Sequence, residues 1–182
     1  YATFYCCESL YGKITIPYNV TTIRDLAFGG CRSIHSVELS TKTDSISFSA
    51  FDKAYNFTRY IRNQNNNFNV YNGMLYSNNM ATLYHCPEGY RNTCVIHAET
   101  RKINTKAFDN CSNIKNIILN VERIEDYAFN GCTNLRHITI GAKTYHIGQE
   151  IFNGCQSLTH IDVKKNNNHY KSVDGVLYTA DM

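Results

Sequence analysis

The chain has 182 residues, 43% hydrophobic, 13% aromatic and 18% charged, with a formal net charge of +3. That composition excludes a disordered chain, which would be poor in aromatics and richer in charge. No apolar run approaches the ~18 residues of a membrane span, and no Lys/Arg block forms the clustered positive surface that nucleic acid requires. With 22 Asn, two Pro and no Trp, many short elements joined by turns are expected rather than long helices.

From the N-terminus onward, one pattern returns. An Ala-Phe pair stands at Ala27-Phe28, Ala50-Phe51, Ala107-Phe108 and Ala128-Phe129, with Ile151-Phe152 as a variant and Thr3-Phe4 as the tail of an earlier copy. Three residues after each Phe comes Cys (Cys7, Cys31, Cys111, Cys132, Cys155), except at Ala54. Three further on stands an apolar residue (Leu10, Ile34, Phe57, Ile114, Leu135, Leu158), and from Phe28 onward an Ile precedes each of these Phe by five positions, from Ile23 to Ile147. Such periodicity marks a stacked repeat architecture, in which single copies cannot bury their apolar side alone.

Each copy carries one alternating segment: Val37-Glu38-Leu39, Ile117-Ile118-Leu119, Ile138-Thr139-Ile140 and Ile161-Asp162-Val163. Alternation predicts a strand with its outer two residues inward and the middle one outward. The Ile-x-x-x-Ala-Phe-x-x-Cys segment has a spacing of three to four, which predicts one or two helical or 3₁₀ turns. The fold expected is therefore an α/β solenoid whose strands stack in one parallel sheet.

Two islands interrupt the array. The first, over 63–96, follows Asn65-Asn66-Asn67 and contains Gly73-Met74-Leu75-Tyr76, a turn at Ser77-Asn78-Asn79-Met80 and a strand at Thr82–Cys86, which together predict a β-hairpin. The second, over 164–182, follows Asn166-Asn167-Asn168 and reads Asp174-Gly175-Val176-Leu177-Tyr178. Starting at Tyr1 and stopping inside a repeated island, the chain reads as one array, 1–182, from a longer protein.

Written from Ile14 to Ile34, one copy is Ile-x-Ile-Pro-x-x-Val-x-x-Ile-x-x-x-Ala-Phe-x-x-Cys-x-x-Ile. It resembles the BspA-like, or Treponema-type, leucine-rich repeat family over nearly the whole chain, and the islands are also familiar there. The resemblance implies a non-catalytic protein-binding module of a cell-surface or secreted adhesion antigen. Its partners would be host matrix or cell-surface proteins. A cytoplasmic leucine-rich repeat scaffold is the alternative, and free thiols fit a reducing compartment equally well.

On such a fold the outward strand positions are the candidate binding surface. They are Glu38, Ile61, Ile118, Thr139 and Asp162 in one column and Arg59, Asn116, His137 and His160 in its neighbour, expected to form one surface with Ile61 and Ile118 as its apolar centre. Arg62 stands where an inward aliphatic is expected, which implies that its strand frays beside the island. The Cys column reads as buried small side chains packed between repeats. Cys86 and Cys94, flanking Pro87-Glu88-Gly89-Tyr90, are candidates for a disulfide. His85, Cys86, Cys94 and His97 have zinc-ligand chemistry, but alternation turns Cys94 inward and His97 outward, so no metal centre is expected. Neither is a cofactor: no phosphate-cradling loop, metalloprotease motif or nucleophile elbow occurs. Asn19, Asn56 and Asn110 open glycosylation triplets, Asn110 being the weakest because Cys111 beside it is expected to be buried.

Overall fold

The structure is a computed structural model that describes residues 3–181. Its strands in chain order are β1 (Gly12–Thr15), β2 (Thr22–Ile23), β3 (Ile34–Glu38), β4 (Ser45–Ile46), β5 (Arg59–Ile61), β6 (Phe68–Tyr71), β7 (Met74–Ser77), β8 (Thr82–His85), β9 (Lys102–Ile103), β10 (Asn116–Leu119), β11 (Arg123–Ile124), β12 (His137–Ile140), β13 (His146–Ile147), β14 (His160–Val163), β15 (Tyr170–Val173) and β16 (Val176–Thr179). Each regular repeat supplies one longer strand and one two-residue strand, and each kind stacks in parallel on its counterparts.

No helix occurs among the described residues, so the expected helical turns are corrected. The residues just before Ala27, Ala107, Ala128 and Ile151 are Leu26, Lys106, Tyr127 and Glu150, with φ of 53°, 57°, 56° and 49°. A left-handed residue there stops a right-handed helix. The amides that a helix would use locally point to the next copy instead. Phe28 N–H donates to Ala50 O (2.8 Å), Phe108 N–H to Ala128 O (2.8 Å) and Phe129 N–H to Ile151 O (3.0 Å). The three-to-four spacing thus reflects consecutive turns locked between repeats, and the fold is a β-solenoid.

Ring stacking fills the centre. Phe4, Phe28 and Phe51 follow one another at 5.3 Å between centroids, and Phe108 stacks on Phe129 at 4.9 Å. Beside the rings the thiols make a second ladder: Cys31 Sγ donates to Phe4 O (2.9 Å), Cys132 to Phe108 O (3.1 Å) and Cys155 to Phe129 O (3.1 Å). Cys111 makes the same contact with Cys86 O (3.4 Å), so Cys86 takes the position of a ladder Phe. Cys7 departs from the expectation and is exposed, as is Cys6.

The longer strands form two three-stranded sheets rather than one, β1-β3-β5 and β10-β12-β14. An island docks on the last strand of each. Tyr60 N–H donates to Gly73 O (2.9 Å), and Ile161 N–H to Gly175 O (3.0 Å). The turns are Asn72-Gly73 and Asp174-Gly175, all four residues with positive φ, as tight antiparallel hairpins favour. A Cβ on Gly73 would lie 2.9 Å from Arg59 Cβ, so only glycine permits this approach. Strand β5 ends at Ile61 and Arg62 is exposed, as the sequence implied.

The first island is a three-stranded meander, β6-β7-β8. Its third strand joins the short-strand column, giving the sheet β13-β11-β9-β8-β7-β6. Met74, Leu75, Tyr76 and Leu83 are at most 1% exposed, so the island belongs to the core.

Candidate functional site

The nine candidate residues lie in two separate sheets, because the first island stands between β5 and β10. On the N-terminal face Glu38 is half-buried and pairs with Lys13 (2.6 Å), Arg59 is exposed, and Ile61 is half-buried beside the docked island. Ile61 and Ile118 therefore stand in different sheets, on strands that are not hydrogen-bonded neighbours.

The C-terminal face brings six of the nine together. The register places Asn116, His137 and His160 in one row and Ile118, Thr139 and Asp162 in the next. The two histidine rings meet edge to face at 6.2 Å, and His137 Nε2 lies 2.7 Å from Asp162 Oδ2. Ile118 is 67% exposed while Ile117 and Leu119 beside it are buried, as strand alternation dictates. The face is polar and bears one prominent aliphatic group. Among the described residues no cluster of three or more His, Cys, Asp or Glu is placed to hold a metal. The sequence's zinc-type set is dispersed: His85 Nδ1 is 2.9 Å from Tyr60 Oη, and His97 packs on the Tyr71 ring at 4.9 Å.

The disulfide candidate is also corrected. Cys86 and Cys94 are free thiols, like the other six cysteines. Cys86 is fully buried in the Phe position of the ladder, where burial pushes its thiol up to about 11, and Cys94 packs against the same core from its margin. Of the glycosylation candidates, Asn19 is exposed. Asn56 Nδ2 donates to Arg32 O (2.7 Å), and Asn110 Nδ2 contacts Asp109 Oδ2 (3.2 Å) with Cys111 fully buried next to it.

Three arrangements were not read from the sequence. Along the short-strand column Glu125 gathers Arg123 (3.0 Å), Lys102 (3.4 Å) and His146 (3.8 Å). Burial pushes the Glu125 carboxyl up, but the Arg123 hydrogen bond and the charges of Lys102 and Arg123 outweigh it and hold the group below its ordinary value. Glu88 is buried, and its Oε1 accepts Lys53 N–H (2.9 Å) where a regular repeat would offer a backbone carbonyl. Burial, reinforced by Asp52 and Asp109, raises its carboxyl to about 7. Finally, Asn65 and Asn167 anchor the islands. Only the pairing of Asn65 with Phe68 and of Asn167 with Tyr170, three residues on, would have marked them.

A stack of short parallel strands, repeated in register, defines a leucine-rich repeat solenoid. The chain belongs to the BspA type leucine rich repeat region family, which matches in six copies over residues 1–93 and 84–173. No curated protein matches the sequence. Among solved structures it is similar to a leucine-rich repeat protein from Eubacterium ventriosum (20% identity, TM-score 0.68, covering 89% of this chain and 56% of that one). It is also similar to the pneumococcal vaccine antigen PcpA (17%, TM-score 0.62, 86% and 52%) and to a leucine-rich repeat protein from Bacteroides ovatus (22%, TM-score 0.55, 87% and 42%). The chain thus spans about half the length of the structures it matches, and the likeness is one of fold. Among the described residues no helix is long and apolar enough to cross a membrane.

Proposed function

We propose that this chain is a non-catalytic protein-binding module of a cell-surface or secreted protein, and that contact centres on the outer face of β10-β12-β14. The carrying observation is the registered array of Asn116, Ile118, His137, Thr139, His160 and Asp162, with Ile118 67% exposed among polar neighbours. An aliphatic anchor within a polar rim is how protein interfaces are commonly built. Family membership and the likeness to a vaccine antigen support a surface role. Host matrix or cell-surface proteins as partners rest on the family resemblance. Glu38, Arg59 and Ile61 then form a secondary face, and Asn19 is the glycosylation triplet with the fewest competing contacts.

The test is binding of the purified chain to immobilised matrix proteins and to host cells. Wild type is compared with Ile118→Asp and with His137→Ala/His160→Ala, each checked for an unchanged melting curve. Loss of binding in the folded variants is expected. Undiminished binding by both moves the contact off this face. The eight free thiols favour the cytoplasmic scaffold as a second reading, and failure of folded wild type to bind any of these surfaces would select it.

A further inference from the structure

The column of short strands is broken once. Where it is continuous, every strand hangs on its predecessor by the same three bonds. Arg101 and Lys102 N–H donate to Ala81 O (2.8 and 3.0 Å) and Asn104 N–H to Leu83 O (3.0 Å). Glu122 and Arg123 N–H likewise donate to Arg101 O (2.7 and 3.0 Å), and Glu125 N–H to Ile103 O (3.0 Å). Strand β4 is held to β2 in this way, through Asp44 and Ser45 N–H on Thr21 O and Ser47 N–H on Ile23 O. In this register Asp44 O and Ile46 O are the acceptors for a following strand. The next strand in the column, β8, is paired with β7 instead, and neither carbonyl accepts a hydrogen bond from any described residue.

Beside this free edge lies a cleft of about 540 Å³, within the range of ligand sites. Phe68 and Leu75 supply its apolar lining and Phe48 and Tyr84 its exposed aromatic rims. Lys106 Nζ stands 4.9 Å from the Phe48 ring centroid, tying together the repeats on either side. His85, 8% exposed, also lines the cleft. Its Nδ1 lies 2.9 Å from the Tyr60 hydroxyl, and Nε2 has no hydrogen-bond partner among the described residues. Asp44 is the one charged side chain lining the cleft.

We propose that this cleft binds an extended peptide segment of a partner protein as a strand added in parallel to the free edge of β4. The segment would carry a basic residue opposite Asp44 and a β-branched aliphatic residue opposite Ile46. The chain contains the template: Thr100-Arg101-Lys102-Ile103-Asn104 satisfies β8 in this register, and transposed onto β4 it sets Arg against Asp44 and Ile against Ile46. Main-chain bonds at a free sheet edge give affinity and side-chain pockets give selectivity. None of the nine sheet-face candidates lines the cleft, so this site and the face proposed above fail or survive separately.

The experiment titrates wild-type protein with the acetylated, amidated peptide Thr-Arg-Lys-Ile-Asn and with two N-methylated forms, followed by calorimetry and amide NMR shifts. In the template the Asn104 amide faces the preceding strand and the Ile103 amide does not. N-methylation at Asn is therefore expected to weaken binding at least tenfold, and N-methylation at Ile to leave it within about twofold. Shifts should concentrate at Asp44–Phe48 and His85, and a folded Ser45→Trp variant should lose binding. Equal binding of the two methylated peptides, or no binding of the unmodified one, overturns the proposal. So does a neutral oligosaccharide such as maltopentaose binding in its place by stacking on Phe48 and Tyr84. If Ser45→Trp fails to fold, the methylated pair decides the matter on wild type.

Discussion

Asn65 and Asn167 occupy equivalent positions and make the same four hydrogen bonds. Asn65 Nδ2 donates to Ser40 O (2.6 Å) and Thr43 O (2.9 Å) while its Oδ1 accepts from Asn67 N–H (2.7 Å) and Phe68 N–H (2.8 Å). Asn167 Nδ2 donates to Gly141 O (2.8 Å) and Thr144 O (2.9 Å), and its Oδ1 accepts from His169 and Tyr170 N–H, both at 2.8 Å. Donors on one side and acceptors on the other fix the amide orientation and saturate most of its capacity. Each side chain ties the entry of an island to the turn of the preceding repeat.

Replacing Asn65 by Asp keeps the size and the acceptor but removes both donors, leaving Ser40 O and Thr43 O facing a carboxylate. Each orphaned buried carbonyl costs roughly 1–3 kcal/mol. A lowered denaturant midpoint is expected for Asn65→Asp, with Asn66→Asp, at an exposed neighbouring position, close to wild type. Equal midpoints for the two variants would refute the anchoring role.

Phe129→Ala tests the ring stack. Phe129 is fully buried, 4.9 Å from Phe108 and 6.1 Å from Phe152 between centroids. Removing it is expected to cost about 3–5 kcal/mol. Because repeats are coupled to their neighbours, hydrogen-exchange protection should fall first in the copies around Phe108 and Phe152. Chemical denaturation followed by native-state exchange measures both.

Two buried groups oppose each other in pH dependence. Glu88 rises from 4.5 to about 7, chiefly by burial, with Asp52 and Asp109 adding like charge and Lys53 N–H partly compensating. The folded state therefore binds more protons than the unfolded one between these values, and this group's contribution to stability falls as pH rises from 4.5 to 7. His85 is lowered from 6.5 to about 4 by burial. Here the unfolded state binds more protons, so stability is lost as pH falls from 6.5 to 4. Between 4.5 and 6.5 the two slopes offset each other. Glu88→Gln, which keeps the acceptor for Lys53 N–H, should be more stable than wild type above pH 7, by on the order of 2–3 kcal/mol. It should also weaken more steeply than wild type as pH drops below 6.5. Parallel stability profiles for the two proteins between pH 4 and 8 would count against a neutralised Glu88.

Much of the fold was legible because stacking imposes side-chain columns. Phe28 and Phe51, and likewise Phe108 and Phe129, repeat in the sequence because each pair stacks in space, and alternation correctly turned Ile118 outward and Ile117 inward. What escaped were features set by backbone sign and by neighbours. Nothing in the residue types of Lys106 or Glu150 announces a positive φ, so a helical spacing was read where successive turns occur. Nothing local reveals that an island splits the long-strand sheet, since the split depends on Tyr60 bonding Gly73 rather than the next repeat. The candidate residues were accordingly divided: Asn116, Ile118, His137, Thr139, His160 and Asp162 share a sheet, while Glu38, Arg59 and Ile61 lie in another. The Asn runs were visible as turns, but which Asn is buried depends on its distance to Phe68 or Tyr170.

Cysteine labelling separates the ladder from the exposed end. Cys31, Cys86, Cys111 and Cys132 are fully buried, and burial raises the thiols of Cys31, Cys86 and Cys111, which suppresses the reactive thiolate. The Sγ atoms of Cys31, Cys111 and Cys132 also donate to carbonyls of the neighbouring copy, as Cys132 does to Phe108 O at 3.1 Å, and a thiol so engaged is turned away from the surface. Cys6 and Cys7 are exposed. Cys94 and Cys155 are half-buried, and burial raises the Cys94 thiol strongly. A maleimide pulse on the native protein at pH 7, read by intact mass and peptide mapping, is therefore expected to modify Cys6 and Cys7 within the dead time. Cys94 and Cys155 should follow slowly, and the four fully buried thiols should react only after unfolding. Modification of Cys132 at the rate of Cys7 would mean that the thiols do not stack between repeats. A mass deficit of two hydrogens that maps to Cys86 and Cys94 would restore the candidate disulfide between them and move Cys86 out of the Phe column.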